Sequence, residues 1–303
     1  MRSCVWRRSI ILSVGVILVC VMATEIFARV VLGLGDPPLT IRDPQIEYMF
    51  KPGIYQRFGN AIVYNEYSMR SLTPPRGNVD GDIVLVLGDS VVNGGAQTDQ
   101  SDLASEILRR SLTAGSWVGN VSAGSWGPAN MAAYLNRFGT FGADHILLVL
   151  SSHDLHDVPT FRKDLGEDFP QVRPSFAVKE ALTRYLPRYL PSWLSPLEVP
   201  SQDVSEVVTK GDRDVRNLIA LLKTSGAHFA VFLHPTVSEI GSGPNQDGKS
   251  LRHLLETMDV KYIDMRRELL PSDYRDTIHL NPVGQKKYAR RFLEVIKIHH
   301  NII

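Results

Sequence analysis

The run Ile83-Val84-Leu85-Val86-Leu87, followed at once by Gly88-Asp89-Ser90, constrains this chain more than any other stretch. Five apolar residues in succession, with no polar alternation, suit a strand buried on both faces, which is the habit of a parallel strand covered by helices. Its abrupt end in a turn that carries a hydroxyl places Ser90 where open α/β sheets form their ligand crevice. Ser90 is therefore the candidate nucleophile, although strand-Gly-Asp-Ser read alone is equally an ordinary turn. A helix is expected several residues later, with Asp99 or Ser101 as its N-cap and Leu103, Ile107, Leu108 and Leu112 on one face.

Strand and helix patterns alternate from there on. Trp117 to Val121 reads as a short strand ending at Gly124, followed by a helical pattern through Met131, Tyr134, Leu135 and Phe138. His145 to Leu150 reads as a third buried strand, Leu218 to Leu222 as part of a helix, His228 to Leu233 as a fourth strand and Tyr262 to Met265 as a fifth. A closing helix is expected from about Pro282 to Ile298, the proline sitting in its first turn. Such alternation predicts an α/β fold with a mostly parallel five-stranded sheet covered on both faces. With 303 residues, 44% of them hydrophobic and 21% charged, the chain can bury a core of that size. A net charge of +1 supplies no field for a polyanion, so nucleic acid is not an expected partner. Cys4 and Cys20 are the only cysteines and both lie near the start, which excludes a disulfide framework or a cysteine zinc site in the remainder.

Arg2, Arg7 and Arg8 precede an apolar run from Ile10 to Ala23, and the apolar pattern continues, interrupted by Glu25 and Arg29, to Leu34. Counted from Ser9 to Ala28 this is about 20 residues, enough to cross a hydrocarbon core of roughly 30 Å as one helix. The arginines predict a cytoplasmic N-terminus and an exported body, so residues 1–34 are expected to anchor the chain in the inner (cytoplasmic) membrane with the rest periplasmic or extracellular. A signal peptide cleaved after Val21-Met22-Ala23 is the alternative, and lipidation at Cys20 is disfavoured by bulky Val19 before it. The i,i+4 spacing of Glu25 and Arg29 keeps the pattern helical past that cleavage point and favours the uncleaved anchor. Residues 35–80, with Pro37, Pro38, Pro52, Pro74 and Pro75, are expected to form an extended leader held to the body by Tyr48, Phe50, Tyr55 and Phe58. The body is assigned to 81–303. Within it the alternation stops between Val158 and Val204, where the aromatic, basic and proline-broken run from Arg184 to Trp193 suits a cap-like insertion facing substrate.

A serine nucleophile needs a base, and the base an orienting acid. Asp276-Thr277-Ile278-His279 supplies both in a loop ahead of the last helix, after the fifth strand and so at the same sheet edge as Ser90. Gly88-Asp89-Ser90, Asn120 to Gly124, and Asp276-x-x-His279 within His279-Leu-Asn-Pro-x-Gly284 resemble, in their usual order, the blocks of the SGNH/GDSL hydrolase family. The similarity spans roughly Asp82 to Ile298. It implies a flavodoxin-like three-layer α/β/α fold, ester hydrolysis without a cofactor, Ser90 as nucleophile, His279 as base, Asp276 as its orienter, and the N–H groups of Ser90 and Gly124 as oxyanion donors.

The third block departs from the family pattern. Where Gly-x-Asn-Asp is expected after the third strand, the chain has Ser151-Ser152-His153-Asp154. The asparagine amide normally completes the oxyanion hole, and losing one such donor costs about 2.7–4 kcal/mol. His153 can replace it if a ring N–H points into the site; otherwise it is a structural histidine. A metal site built on His153, His156, Asp154 and Asp157 lacks a third histidine at ligating spacing, and no metal is assigned. The anchor, Gly33 to Leu39 and Asn65 to Arg70 resemble membrane-anchored members of bacterial exopolysaccharide systems. That likeness implies an acylated glycan as substrate, deacetylation as the reaction, and polysaccharide synthesis or export proteins as partners. O-acyl transfer and glycan binding by a weakly active module are the alternatives.

Overall fold

The computed structural model describes residues 2–75, 77, 79–161, 165–166, 168–189 and 204–300. Helix α1, Arg2–Val30, opens the chain. Its stretch from Ile10 to Val30 has a mean hydropathy of 2.6 and leaves Ile11, Leu12, Val16, Leu18, Val19 and Met22 exposed, so one N-terminal helix is long and apolar enough to cross a membrane.

Residues 35–80 carry two antiparallel hairpins, more structure than an extended leader: β1 (Thr40–Asp43) with β2 (Glu47–Phe50), and β3 (Gly53–Arg57) with β4 (Asn60–Tyr64). Ile46, Tyr48 and Met69 are buried in the main core, and Asn130 Nδ2 donates to the Ile46 carbonyl at 2.6 Å. Arg70 is fully buried and donates to the carbonyls of Asn93, Gly95 and Thr98, so the hairpin region shapes the loop that follows the candidate nucleophile. Burial, without a carboxylate in direct contact, pulls the Arg70 guanidinium down to about 10.

Five parallel strands form the central sheet: β5 (Ile83–Gly88), β6 (Trp117–Ser122), β7 (His145–Ser151), β8 (His228–His234) and β9 (Tyr262–Asp264), ordered β6-β5-β7-β8-β9. This is the flavodoxin-like doubly wound order, whose switch point falls between β5 and β7. Alternation along the strands divides the apolar side chains between two helical layers. Leu85, Leu87, Ile146, Leu148 and Val231 face α4 (Pro128–Phe138), α6 (Val204–Thr224) and α8 (Gln246–Thr257). Val84, Val86, Leu147, Val149 and Phe232 face α3 (Ala104–Ser111) and α9 (Pro282–His300). The expected three-layer α/β/α architecture is therefore observed, and all five strands fall where the sequence placed them.

Three local readings change. A four-residue helix, α2 (Ser90–Asn93), starts at Ser90 itself and is capped by Asp89, whose carboxylate accepts from Val91 N. Asp99 caps a 3-10 turn, Gln100–Asp102, and not α3, which begins after Leu103 without a side-chain cap. Between β8 and β9 lie α7 (Val237–Ser242) and α8, neither of which the sequence pattern announced. In the insertion, α5 (Ala177–Glu180) runs on into a π turn and a 3-10 turn ending at Tyr189, whereas the end of the proposed cap, residues 190–203, lies outside the described residues.

The end of α1 docks directly on α5. Glu25 accepts from the N–H groups of Ala177 (2.9 Å) and Val178 (3.0 Å), capping α5 with a carboxylate from another helix. Arg29 pairs with Glu25 at 2.7 Å and donates to the Ser175 carbonyl, and Ala28 and Leu34 pack on Ala177. Glu180, at the far end of α5, receives Gly35 N and the fully buried Arg57 guanidinium, which also donates to Tyr185.

Candidate active site

Ser90 stands at the carboxyl end of β5, on the first residue of α2, beside the switch point of the sheet. His279 Nε2 lies 2.9 Å from Ser90 Oγ, across 189 residues of sequence. On its other side His279 Nδ1 is 2.9 Å and 3.0 Å from the two Asp276 oxygens. The carboxylate fixes the tautomer in which Nδ1–H donates to Asp276, leaving Nε2 to accept from the serine hydroxyl. Burial pushes the Asp276 carboxyl up, but the N–H groups of Ile278 and His279 and the imidazole outweigh it and hold the group below its usual range. The structure thus brings Ser90, His279 and Asp276 into one hydrogen-bonded line.

The loop carrying the base is pinned from several sides. Arg275 N donates to the His279 carbonyl, Val237 N to that of Thr277, and Tyr274 Oη to that of Pro235. His234, at the end of β8, donates from Nε2 to the Ile278 carbonyl and accepts at Nδ1 from Tyr288 Oη, each at 2.8 Å. Burial drives His234 down to about 4, so it is neutral at physiological pH and keeps that tautomer. Sequence reasoning missed His234. Its one signal is a histidine closing a strand at the edge that holds the nucleophile.

The amides expected as oxyanion donors are both present at the site. The N–H of Ser90 opens α2 and has no acceptor within that helix. The N–H of Gly124 has no acceptor among the described residues, and its carbonyl is held by Tyr48 Oη, a contact from the hairpin region that fixes the peptide that follows. His153 lies at the same edge but turns toward the interior. Its Nε2 sits 2.8 Å from Asp89 Oδ2 and 3.3 Å from Asp157 Oδ2, and its Nδ1 donates to Ser151 Oγ at 3.0 Å. Burial works against a charge on this ring, but the bond to Asp89 and the charges of Asp154, Asp89 and Asp157 lift it to about 10. His153 is therefore an imidazolium at neutral pH with both N–H groups engaged. Asp89 is held low in turn, its burial outweighed by His153, whereas burial and the charge of Asp89 push Asp154 up. Asp89, His153, Asp154 and Asp157 present ligand atoms within 4.8 Å of one another, while His156 points away to Asp247 at 3.1 Å.

A pocket of about 140 Å³ opens over Ser90 and His279, walled by Phe50, Ile62, Tyr64 and Phe169 and closed by Gly124 and Arg275. Its walls come from the hairpins and the insertion, its chemistry from the sheet. A larger pocket of about 440 Å³, lined by Pro37 and by residues between Gly166 and Arg184, contains none of Ser90, His279 and Asp276, so the smaller one is the candidate site.

No protein-family profile matches the sequence, and no curated protein matches it either. Among solved structures, a member of the lipolytic protein G-D-S-L family from Veillonella parvula DSM 2008 aligns at 14% identity with a TM-score of 0.43, over 71% of this chain and 98% of that one. A carbohydrate acetylesterase family member from Sinorhizobium meliloti aligns at 14% identity and TM-score 0.42, over 72% and 98%. The psychrotrophic esterase EstA from Pseudoalteromonas sp. aligns at 16% identity and TM-score 0.42, over 73% and 99%. Similarities at this level carry no weight for activity, which rests on the side chains of this chain alone.

Proposed function

We propose that this chain is a serine esterase that cleaves O-acyl esters, foremost O-acetyl esters, on a carbohydrate or exopolysaccharide. The observation that carries the reading is the continuous line from Ser90 Oγ through His279 to Asp276, with 2.9 Å at each link. Ser90 Oγ attacks the acyl carbonyl while His279 Nε2 takes its proton, and Asp276 stabilises the imidazolium so formed. The N–H groups of Ser90 and Gly124 receive the charge that develops on the carbonyl oxygen. His279 then returns the proton to the departing sugar hydroxyl, leaving an acyl-enzyme on Ser90. His153, the expected third donor, joins the oxyanion hole only by trading its bond to Asp89 or to Ser151.

A pocket of about 140 Å³ walled by three aromatic rings and Ile62 suits a short acyl group. Hydrolysis is favoured over transfer because the base is open to water: the side chains of His279 and Asp276 are 27% and 42% exposed. The glycan follows from the motif likeness to exopolysaccharide proteins. In this reading α1 is an uncleaved anchor, with the N-terminus cytoplasmic and the sheet domain outside. Incubating the purified full chain with an acetylated glycan should release acetate, and a fluorophosphonate should label Ser90. Absence of label in a folded sample refutes the esterase, and acetylated acceptor sugar without free acetate assigns transfer. An inactive C-terminal alkaline phosphatase fusion in a membrane-inserted chain would refute the topology.

A further inference from the structure

The amino-terminal edge of the sheet, opposite Ser90, collects residues that are far apart in sequence. Asp82 precedes β5, His145 opens β7, His228 opens β8, and His299 and His300 end α9. Parallel register sets His145 beside His228, and α9, packed along the face that carries Val84 and Phe232, brings its last turn to the same edge. His300 Nε2 lies 3.0 Å from Asp82 Oδ1, and His145 Nε2 lies 4.0 Å from the same oxygen. One ligand atom from each of Asp82, His145 and His300 falls within 4.8 Å of the other two. The His299 ring centroid is 5.9 Å from that of His145 and 4.1 Å from that of His228.

We propose that Asp82, His145 and His300 bind a divalent transition-metal ion, zinc being the simplest occupant, with His299 or water as the fourth ligand. Zinc bonds of about 2.0–2.2 Å in a tetrahedron put neighbouring ligand atoms about 3.3 Å apart, a spacing that the 3.0 Å and 4.0 Å separations bracket. Imidazole nitrogens with one carboxylate form a borderline donor set that selects zinc, copper or nickel over magnesium and calcium, which want oxygen throughout. The arrangement makes little sense as a set of ion pairs. Two imidazoles, His145 and His300, address the same Asp82 oxygen and two more, His228 and His299, stand beside them, so charging more than one sets like charges side by side, and His145 is only 3% exposed. Free-base imidazole is the form that coordinates metal. An ion held here ties the starts of β5 and β7 to the end of the last helix. It would sit roughly 25 Å from Ser90, the length of β5 and its flanking residues at about 3.3 Å each, and so serves stability and not the ester chemistry.

Titration calorimetry on the chelator-treated full chain in detergent, with zinc chloride as the probe, tests the site. One ion per chain at micromolar or tighter affinity is expected, with a visible spectrum of tetrahedral form when cobalt is used and no binding of magnesium. His145→Ala removes a buried side chain and can disturb the fold, so His300→Ala and Asp82→Asn carry the test. Each should weaken zinc at least about tenfold, while fluorophosphonate labelling at Ser90 shows that the variant is folded. Three results would overturn the proposal: no zinc binding, affinity within twofold of the parent in both variants, or binding that is lost instead in Asp157→Asn, which would move the ion to the cluster beside Ser90.

Discussion

The two edges of one sheet put histidine to opposite uses. At the carboxyl edge each histidine has its own directional partners: His279 lies between Ser90 and Asp276, His234 between Tyr288 and Ile278, His153 between Asp89 and Ser151. Three rings of one residue type thereby become a candidate base, a neutral strut and a fixed cation. At the amino edge His145 and His300 share one Asp82 oxygen while His228 and His299 lie ring to ring beside them, and among the described residues none has a partner set of its own comparable to these. A histidine's chemistry follows from how many groups it can address and in which directions, and the same sheet supplies both situations.

The largest expected effect belongs to the carboxyl edge. Ser90→Ala or His279→Ala should slow turnover by about 10⁴-fold or more, since triad members act as a unit, whereas His300→Ala should leave ester turnover within about twofold. Steady-state hydrolysis of a short-chain aryl ester would show it, and comparable losses at the two edges would dissolve the contrast.

Next in size is the acid limb of stability. His234 sits at about 4 in the folded chain against 6.5 for a free imidazole, so its contribution is present above pH 6.5 and is lost as pH falls toward 4. A depression of that size corresponds to about 3 kcal/mol, and urea midpoints at pH 7 and pH 4.5 should separate accordingly. His234→Gln should be less stable at pH 7 but flatter toward acid. His145 and His299 are lowered as well and add to the same limb.

His153 has the opposite sign. Lifted to about 10, it contributes fully below pH 6.5 and loses that contribution as pH rises through 10. His153→Ala should cost about 1–3 kcal/mol at pH 7 by leaving Oδ2 of the buried Asp89 carboxylate without a donor while Oδ1 keeps Val91 N, and the gap from the parent should close toward pH 10. Turnover slowed by about two to three orders of magnitude, with KM and stability unchanged, would instead assign the ring to the oxyanion hole. The smallest effect is that of Asp82→Asn without metal. The His300 side chain is 48% exposed, so the pair it breaks is worth about 0–1 kcal/mol and thermal unfolding should barely move.

Much of the carboxyl edge was legible in the chain because its signals are local. Ile83 to Leu87 shows a buried strand by composition alone, and Asp276 and His279 stand three residues apart. The amino edge was illegible because Asp82, His145, His228 and His300 are joined only by strand register and by the length of α9. The hairpins were hidden by strands of four or five residues such as Thr40-Ile-Arg-Asp43, too short and too polar for a period to stand out. In α8 the apolar triplet Leu251, Leu254 and Leu255 follows a polar first half containing Gly248, which dilutes a helical pattern that Asn245 in fact caps. Asp99 misled because an Asp whose carboxylate takes the amide two residues on, here that of Ser101, caps a 3-10 turn as readily as an α-helix.

The carboxylate of Glu25 leaves the body of the protein no leash. Most tethered domains begin after a stretch of free chain and sweep out a volume around their attachment. Here the first contact with the body is made from within the helix itself, at the amides of Ala177 and Val178, and Arg57 with Glu180 carries that contact on to the wall of the pocket. With α1 in a bilayer, the mouth above Ser90 would hold one height and one heading. On the proposed reading, a catalyst held this way could not hunt for its ester; the polymer would have to be fed past it.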